Sequence, residues 1–541
     1  MRDVCRVESY SAKKEGKHFI TLPERIWQRD DLLLVAAGSL ACVRTLYLRA
    51  AGLHKLHQFV PCPLTPADYA GGHVEERLTT VIREAVRRPG VGCVIIYASC
   101  AEILSQCDLE HVAEQLGFLE QIPIRFLLRG PLVARRRNTV RDLDCLLEEL
   151  PPPTGSISPA YVPTPVLPPD FSGASSLFQN WGAYPFLLTA GGCTGCLTLG
   201  DGISQELRLD YSRFDDVELA TGCESSAVNG IAEGFQRSGA SFCGLMGSAI
   251  PEMIGMDYGG IQARLTAQGI PTLLIPCTGF EAAQVGINQA LLKLCSWIQF
   301  EGNLPNLVRI LGYSDLALGS QRPLQSGIAA LNTLGYQVCL WDGRSGASGT
   351  VLPALHWVVT AEGLRAAQWM EAKYGIPYLC GLPLEEHGQS HWLAQLSKAD
   401  NTPDSSVRNT GKVPNLLLVG QPMTTEGLSW AISGRWPTVH IQRAFYAPTK
   451  GLKELFRPFL GPETFLFSSP EELAAQVQKE PELLLADPLF FPCLVPQFPN
   501  AKLLSCPDPT IGGRGSLPAT WLEKPEPLLR EIEVAIENIT I

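Results

Sequence analysis

Short apolar runs alternate with amphipathic stretches along the chain, and twice they pass through the same signals in the same order, at residues 31–124 and 184–276. Each segment opens on an apolar run ending in a glycine-cysteine turn, LLLVAAGSLACVR with Cys42 in the first and FLLTAGGCTGCLT with Cys193 and Cys196 in the second. Such runs predict strands buried on both faces, which puts the turns at a strand's carboxyl end. An acidic entry to a helix follows, LTPADYAGGHVEERLTTVIREA against YSRFDDVELATGCESSAVNGIAEGF, then a second apolar strand, VGCVIIYASC against SFCGLMGSAI. The exits correspond as well, CAEILSQCDLEHVAEQL with AIPEMIGMDYGGIQARL, and each segment closes on a short strand after a proline, IPIRFLL and IPTLLIP. At the last anchor the second copy has Ala249 where the first has Cys100.

The same alternation continues downstream. LVRILGYSD, SGIAALNTLG and YQVCLWD read as strand, helix and strand, and HWVVTAEGLRAAQWMEAKYGIPYL repeats that order. A polar stretch then leads to a last unit containing VPNLLLVG, ELLLADPLF and AKLLSCPDP, and the terminal PEPLLREIEVAIENI has apolar residues at helical spacing. PPPTGSISPAYVPTPVLPPDFSG, from Pro151 to Gly173, predicts a semi-extended linker, because proline lacks a backbone donor and fixes φ. The pattern therefore predicts an α/β chain of several parallel-sheet units: 1–150, a linker at 151–180, 181–302, 303–400 and 412–541.

A length of 541 residues suits three or four domains, and 45% hydrophobic with 18% charged residues is enough for several cores. The net charge of -11 argues against nucleic acid as the main partner, and the run Arg135, Arg136, Arg137 is too short to reverse that. No apolar run approaches the roughly 20 residues of a membrane span. MRDVCRVESYSAKKEGK lacks the apolar segment of a secretory signal, so a cytoplasmic protein without a membrane partner is expected.

Seventeen cysteines are too dispersed for a secreted disulfide framework. Cys93, Cys145, Cys295, Cys339 and Cys380 fall in apolar patterns and read as small core hydrophobes. Cys42, Cys100, Cys193 and Cys196 differ, since they fall where strands end beside glycine or small residues and side chains of an α/β sheet converge. Cys107 is a weaker candidate one helical turn further on. IGMDYGG and DGRSGASG read as tight turns rather than phosphate cradles, and the pairs His54/His57 and His387/His391 as solvated polar faces.

From about Tyr184 onward the chain resembles a subunit of the nitrogenase-like catalytic component family, through GGCTGC, GSAIPEMIGMD, PCTGFEAAQVG and EAKYGIPYL. AAGSLACVR, LTPADYAGGH and YASCAEILSQCDLE resemble the family's first unit a second time. The resemblance implies several Rossmann-like parallel-sheet units with the first one duplicated. It also implies an iron-sulfur cluster held by thiolates between the first units of paired subunits. Cys42 and Cys100 match two of the family's ligand positions and Cys196 one, while Cys193 is an additional thiol three residues earlier.

Three arrangements stay open: a four-thiolate site within one chain, thiols divided between two subunit interfaces, or packing and redox cysteines without metal. Departures from the family are Ala249, the absence of an early cysteine other than the distant Cys5, and Thr360 where cofactor-bearing relatives carry a cysteine. A hydroxyl is a poor iron ligand because its proton is hard to lose, so this chain is not expected to hold a nitrogenase-type cofactor alone. The implied function is that of a nitrogenase-like oxidoreductase subunit receiving low-potential electrons from an ATP-dependent iron-sulfur reductase docked over the pseudo-twofold face. Its expected partner is a second nitrogenase-like subunit or a second copy of itself. The alternatives are a scaffold for metallocofactor assembly and a metal-free structural subunit.

Overall fold

The computed structural model describes residues 7–11, 22–130, 132, 139–190, 193–202, 208–341, 350–397 and 414–540. Cys5, the arginine run and DGRSGASG lie outside them. The chain divides into two compact units, Met1–Gln179 with Ala183–Ala283, and Asn180–Gly182 with Gln284–Ile541.

The first unit holds β1 (Val7–Ser11), β2 (Leu32–Gly38), β3 (Phe59–Pro63), β4 (Cys93–Ala98), β5 (Ile124–Leu128), β6 (Tyr184–Leu187), β7 (Arg208–Ser212), β8 (Cys243–Met246) and β9 (Thr272–Ile275). They form two sheets of order β3-β2-β4-β5 and β1-β7-β6-β8-β9, parallel throughout except where β1 runs antiparallel to β7 with Val7 opposite Ser212. Apart from β1, both sheets place their strands second, first, third, fourth in chain order. All seven residues of β2 are buried, as its unbroken apolar run requires. The helix Val74–Ala85 closes one face of its sheet by burying Val74, Leu78, Ile82 and Ala85, one per turn. Each fully buried Leu or Ile contributes about 1.5–3 kcal/mol.

Local backbone devices recur between the two segments at matching places. Gly72 and Gly222 take positive φ just before the helices Val74–Ala85 and Glu224–Ser238, and Gln106 and Gly255 do so after the helices Cys100–Leu104 and Ala249–Met253. Asp108 and Asp257 then cap the helices that follow, accepting from the amides of His111 and Gly260.

Three details differ from the sequence expectation. A helix begins at Asp170, inside the proline-rich stretch, because the prolines end at Pro169 and DFSGASSLFQN is free to coil. Cys145 is exposed and Cys339 and Cys380 are half-buried, since their elements present them at or near the surface, whereas Cys93 and Cys295 are core residues as expected. β1 lay in a segment with no clear strand pattern, and it joins the second segment's sheet rather than the first's.

The second unit holds β10 (Asn303–Leu311), β11 (Gln337–Leu340), β12 (Leu352–Val358) and β13 (Tyr378–Cys380) in the order β11-β10-β12-β13. Its other sheet holds β14 (Asn415–Val419), β15 (His440–Tyr446), β16 (Thr464–Phe467), β17 (Leu483–Ala486) and β18 (Lys502–Ser505) in the order β16-β15-β14-β17-β18. Both are parallel. In all four sheets the chain leaves the first-formed strand toward one side and returns on the other, which opens a crevice at the carboxyl ends of those two strands. In the first unit these crevices fall after β2 and β4 and after β6 and β8. No helix among the described residues is long and apolar enough to cross a membrane.

Candidate functional site

Two crevices of the first unit face each other, and the thiols lie between them. Cys42 follows β2 on the helix Leu40–Gly52, and Cys100 opens the helix after β4. Cys193 and Cys196 follow β6 and lead into the single π-turn Leu197–Asp201. The helices Cys100–Leu104 and Ala249–Met253 pack together, and Cys100, Ala101, Ala190 and Ile250 form one buried cluster drawn from both segments. The amide of Ala41 donates to the Gly279 carbonyl, a second stitch between them.

Cys42, Cys100 and Cys193 influence one another directly. The thiols of Cys42 and Cys193 hydrogen-bond as a pair: the contact with Cys193, and then burial, holds the Cys42 proton well above the usual thiol range. The same contact lowers Cys193, aided by the hydroxyls of Thr189 and Ser248. Burial pushes Cys100 up to about 12, against the pull of the Leu132 amide. Cys196 stands slightly apart. It is fully buried, its thiol lies 3.7 Å from the Cys193 carbonyl, and burial and Asp201 raise it well above the usual range. Ser172 faces it, and Cys42 lies within its electrostatic reach.

The surroundings are polar at chosen points. Ser39 heads the helix Leu40–Gly52 without capping a backbone amide, and its hydroxyl donates instead to Cys42 Sγ at 3.5 Å. Glu102 is buried, accepts from the amide and hydroxyl of Ser99 at 2.6 and 2.8 Å, and accepts also from the Tyr69 hydroxyl. Burial first and Glu102 second push the Tyr69 phenol upward. Gly130 leaves room that a side chain would fill, since a Cβ there would sit 2.2 Å from Cys100 Sγ. Behind the thiols Arg44 and Asp201 form an ion pair, each fully buried at the side chain, joining one segment to the other.

Among the described residues no three His, Cys, Asp or Glu side chains are grouped to hold a metal ion. An iron-sulfur cluster asks for something else, because each thiolate binds a different iron and the sulfurs stand apart. Water-poor surroundings, soft donors from two sides and hydroxyls aimed at sulfur suit such a group, so the residues fit it.

Other sequence candidates separate from this site. Cys107 Sγ lies 3.1 Å from the Ser105 hydroxyl. His387 faces Glu385 at 3.1 Å while His391 packs on the Trp430 ring, so the two histidines have different partners. In the second unit Thr360 follows β12, and its hydroxyl donates to the Gly312 carbonyl at 2.8 Å. Two residues on, burial and then the nearby Asp508 raise Glu362 to about 7, although the Thr360 hydroxyl partly stabilises its charge.

A raised carboxyl contributes stability that is complete below the unfolded value near 4.5 and is lost as pH climbs through about 7. Glu362→Gln is therefore expected to flatten the stability profile across that window. Above pH 7 it should leave the protein more stable by on the order of 2 kcal/mol, read from urea unfolding at pH 5 and pH 8.

The four α/β sheets and the facing crevices define a nitrogenase-component fold. A solved structure of nitrogenase Cp1 at pH 6.5 overlays with a TM-score of 0.50 at 12% identity, covering 69% of this chain and 93% of that one. A second, of nitrogenase Cp1 at pH 5, gives 0.47 at 15% identity over 70% of this chain and 91% of that one. No curated protein matches the sequence. Residues 170–439 match the family described as nitrogenase component 1 type oxidoreductase.

Proposed function

We propose that the chain is a subunit of a nitrogenase-like oxidoreductase complex in which its two N-terminal segments, read as two copies of one module, hold an iron-sulfur cluster between them. The observation that carries this reading is the meeting of half-buried Cys42 with buried Cys100 and Cys193, from both segments. Such a cluster supplies one-electron transfer at low potential. The chain's residues would bind it through Cys42, Cys100 and Cys193, with Cys196 as the fourth candidate thiol, and exclude water from it. Electrons would come from an ATP-dependent iron-sulfur reductase and go to a substrate or metallocofactor held with a second nitrogenase-like subunit or a second copy. Thr360, its hydroxyl engaged with Gly312, supports a subunit that does not itself anchor such a cofactor. Among the described residues no disulfide links the sixteen cysteines.

Anaerobically purified protein should contain iron and sulfide and give a paramagnetic signal on reduction. Cys42→Ala and Cys193→Ala should each abolish or transform one common signal. Identical spectra in wild type and both variants would remove these thiols from the ligand set.

A further inference from the structure

The two segments treat one serine differently. In the first, Ser99 caps the helix Cys100–Leu104, accepting from the Ala101 amide, and its hydroxyl donates to Glu102 at 2.8 Å. In the second, Ser248 occupies the same place before the helix Ala249–Met253, but Pro251 stands where the first segment has Glu102. Ser248 makes no capping bond, its side chain is completely buried, and among the described residues its hydroxyl finds no partner other than the Cys193 thiol it faces. An unused buried donor costs about 1–3 kcal/mol, so its retention against sulfur calls for an acceptor stronger than a neutral thiol. The segment that lost the thiol at Ala249 has thus also lost the carboxylate that would occupy this serine.

We propose that Ser248 is a positioning residue for the cluster: its hydroxyl donates to the ligating sulfur of Cys193 and raises the cluster's reduction potential. This rests on the cluster reading above and deepens it. A donor to thiolate sulfur withdraws charge from the iron and favours the reduced state, which carries more negative charge. The Ser172 hydroxyl, buried and without another partner among the described residues than the Cys196 thiol it faces, extends the same pattern on the second segment's side. The first segment presents Glu102 to the matching serine instead, so the two sides of the site differ at this position.

The test is a potentiometric titration of the intact anaerobic protein followed by electron paramagnetic resonance, with iron content measured in parallel. Ser248→Ala removes no capping bond and should keep the wild-type iron content while its midpoint shifts to more negative potential. Ser248→Thr should restore the wild-type midpoint. Pro251→Glu supplies a carboxylate placed as Glu102 is in the first segment. It should capture the hydroxyl and give a shift of the same sign with Ser248 still present. A wild-type midpoint in Ser248→Ala overturns the proposal, and so does outright loss of iron in that variant, which would make Ser248 a ligand. Wild-type protein devoid of iron removes the cluster reading itself, a result distinguishable from either.

Discussion

Replacing Arg44 by methionine is expected to lower the unfolding free energy by about 3–5 kcal/mol, because it removes the cationic partner of a buried carboxylate. Arg44 reaches Asp201 Oδ1 through Nε at 3.0 Å and Nη2 at 2.8 Å, and gives Nη1 to the Val166 carbonyl. Both charges are out of contact with solvent, so water cannot replace the lost partner. The double variant Arg44→Met with Asp201→Leu should recover much of the loss, since removing both charges removes the desolvation penalty. Urea unfolding of the four proteins of this cycle provides the measurement. A single variant within 1 kcal/mol of wild type would mean that solvent reaches the pair.

The second large effect concerns Gly130→Ala. The new methyl carbon would fall 2.2 Å from Cys100 Sγ, and the residue's φ of 145° is itself uncomfortable for alanine. The thiol must swing away even though every cysteine remains in place. Metal retention should weaken roughly 10- to 100-fold, as for other changes that disturb a ligand's support. Iron per chain after gel filtration, together with alkylation of the displaced Cys100, would report it. Full iron content with an unreactive Cys100 would exclude that thiol from the site.

The elements easiest to read in the sequence were those whose burial leaves a one-dimensional trace. β2, β4, β14 and β17 are unbroken apolar runs because helices cover both sheet faces. β15 was missed because Gln442 and Arg443 interrupt HIQRAFY even though it lies inside its sheet. Single polar residues break a hydrophobic pattern without breaking a ladder. The candidate thiols were visible because glycine-cysteine turns at strand ends mark a crevice, and the structure brings Cys42, Cys100 and Cys193 together there.

Their hydroxyl partners were not visible. Serine before a helix ordinarily signals a cap, and the residue type alone does not separate Ser99, which caps, from Ser39 and Ser248, which do not. The glutamate three residues after Ser99 is the one readable hint, a capping-box spacing that Ser39 and Ser248 lack.

The antiparallel pairing of β1 with β7 ties residues ahead of the first segment to the sheet of the second, while the chain between residues 130 and 184 already tethers the two covalently. Donor groups that two separate polypeptides would bring together only by encounter are here held at a fixed effective concentration. Dilution cannot part them, so under the proposed cluster reading the occupancy of this site should follow the supply of metal rather than the abundance of the protein.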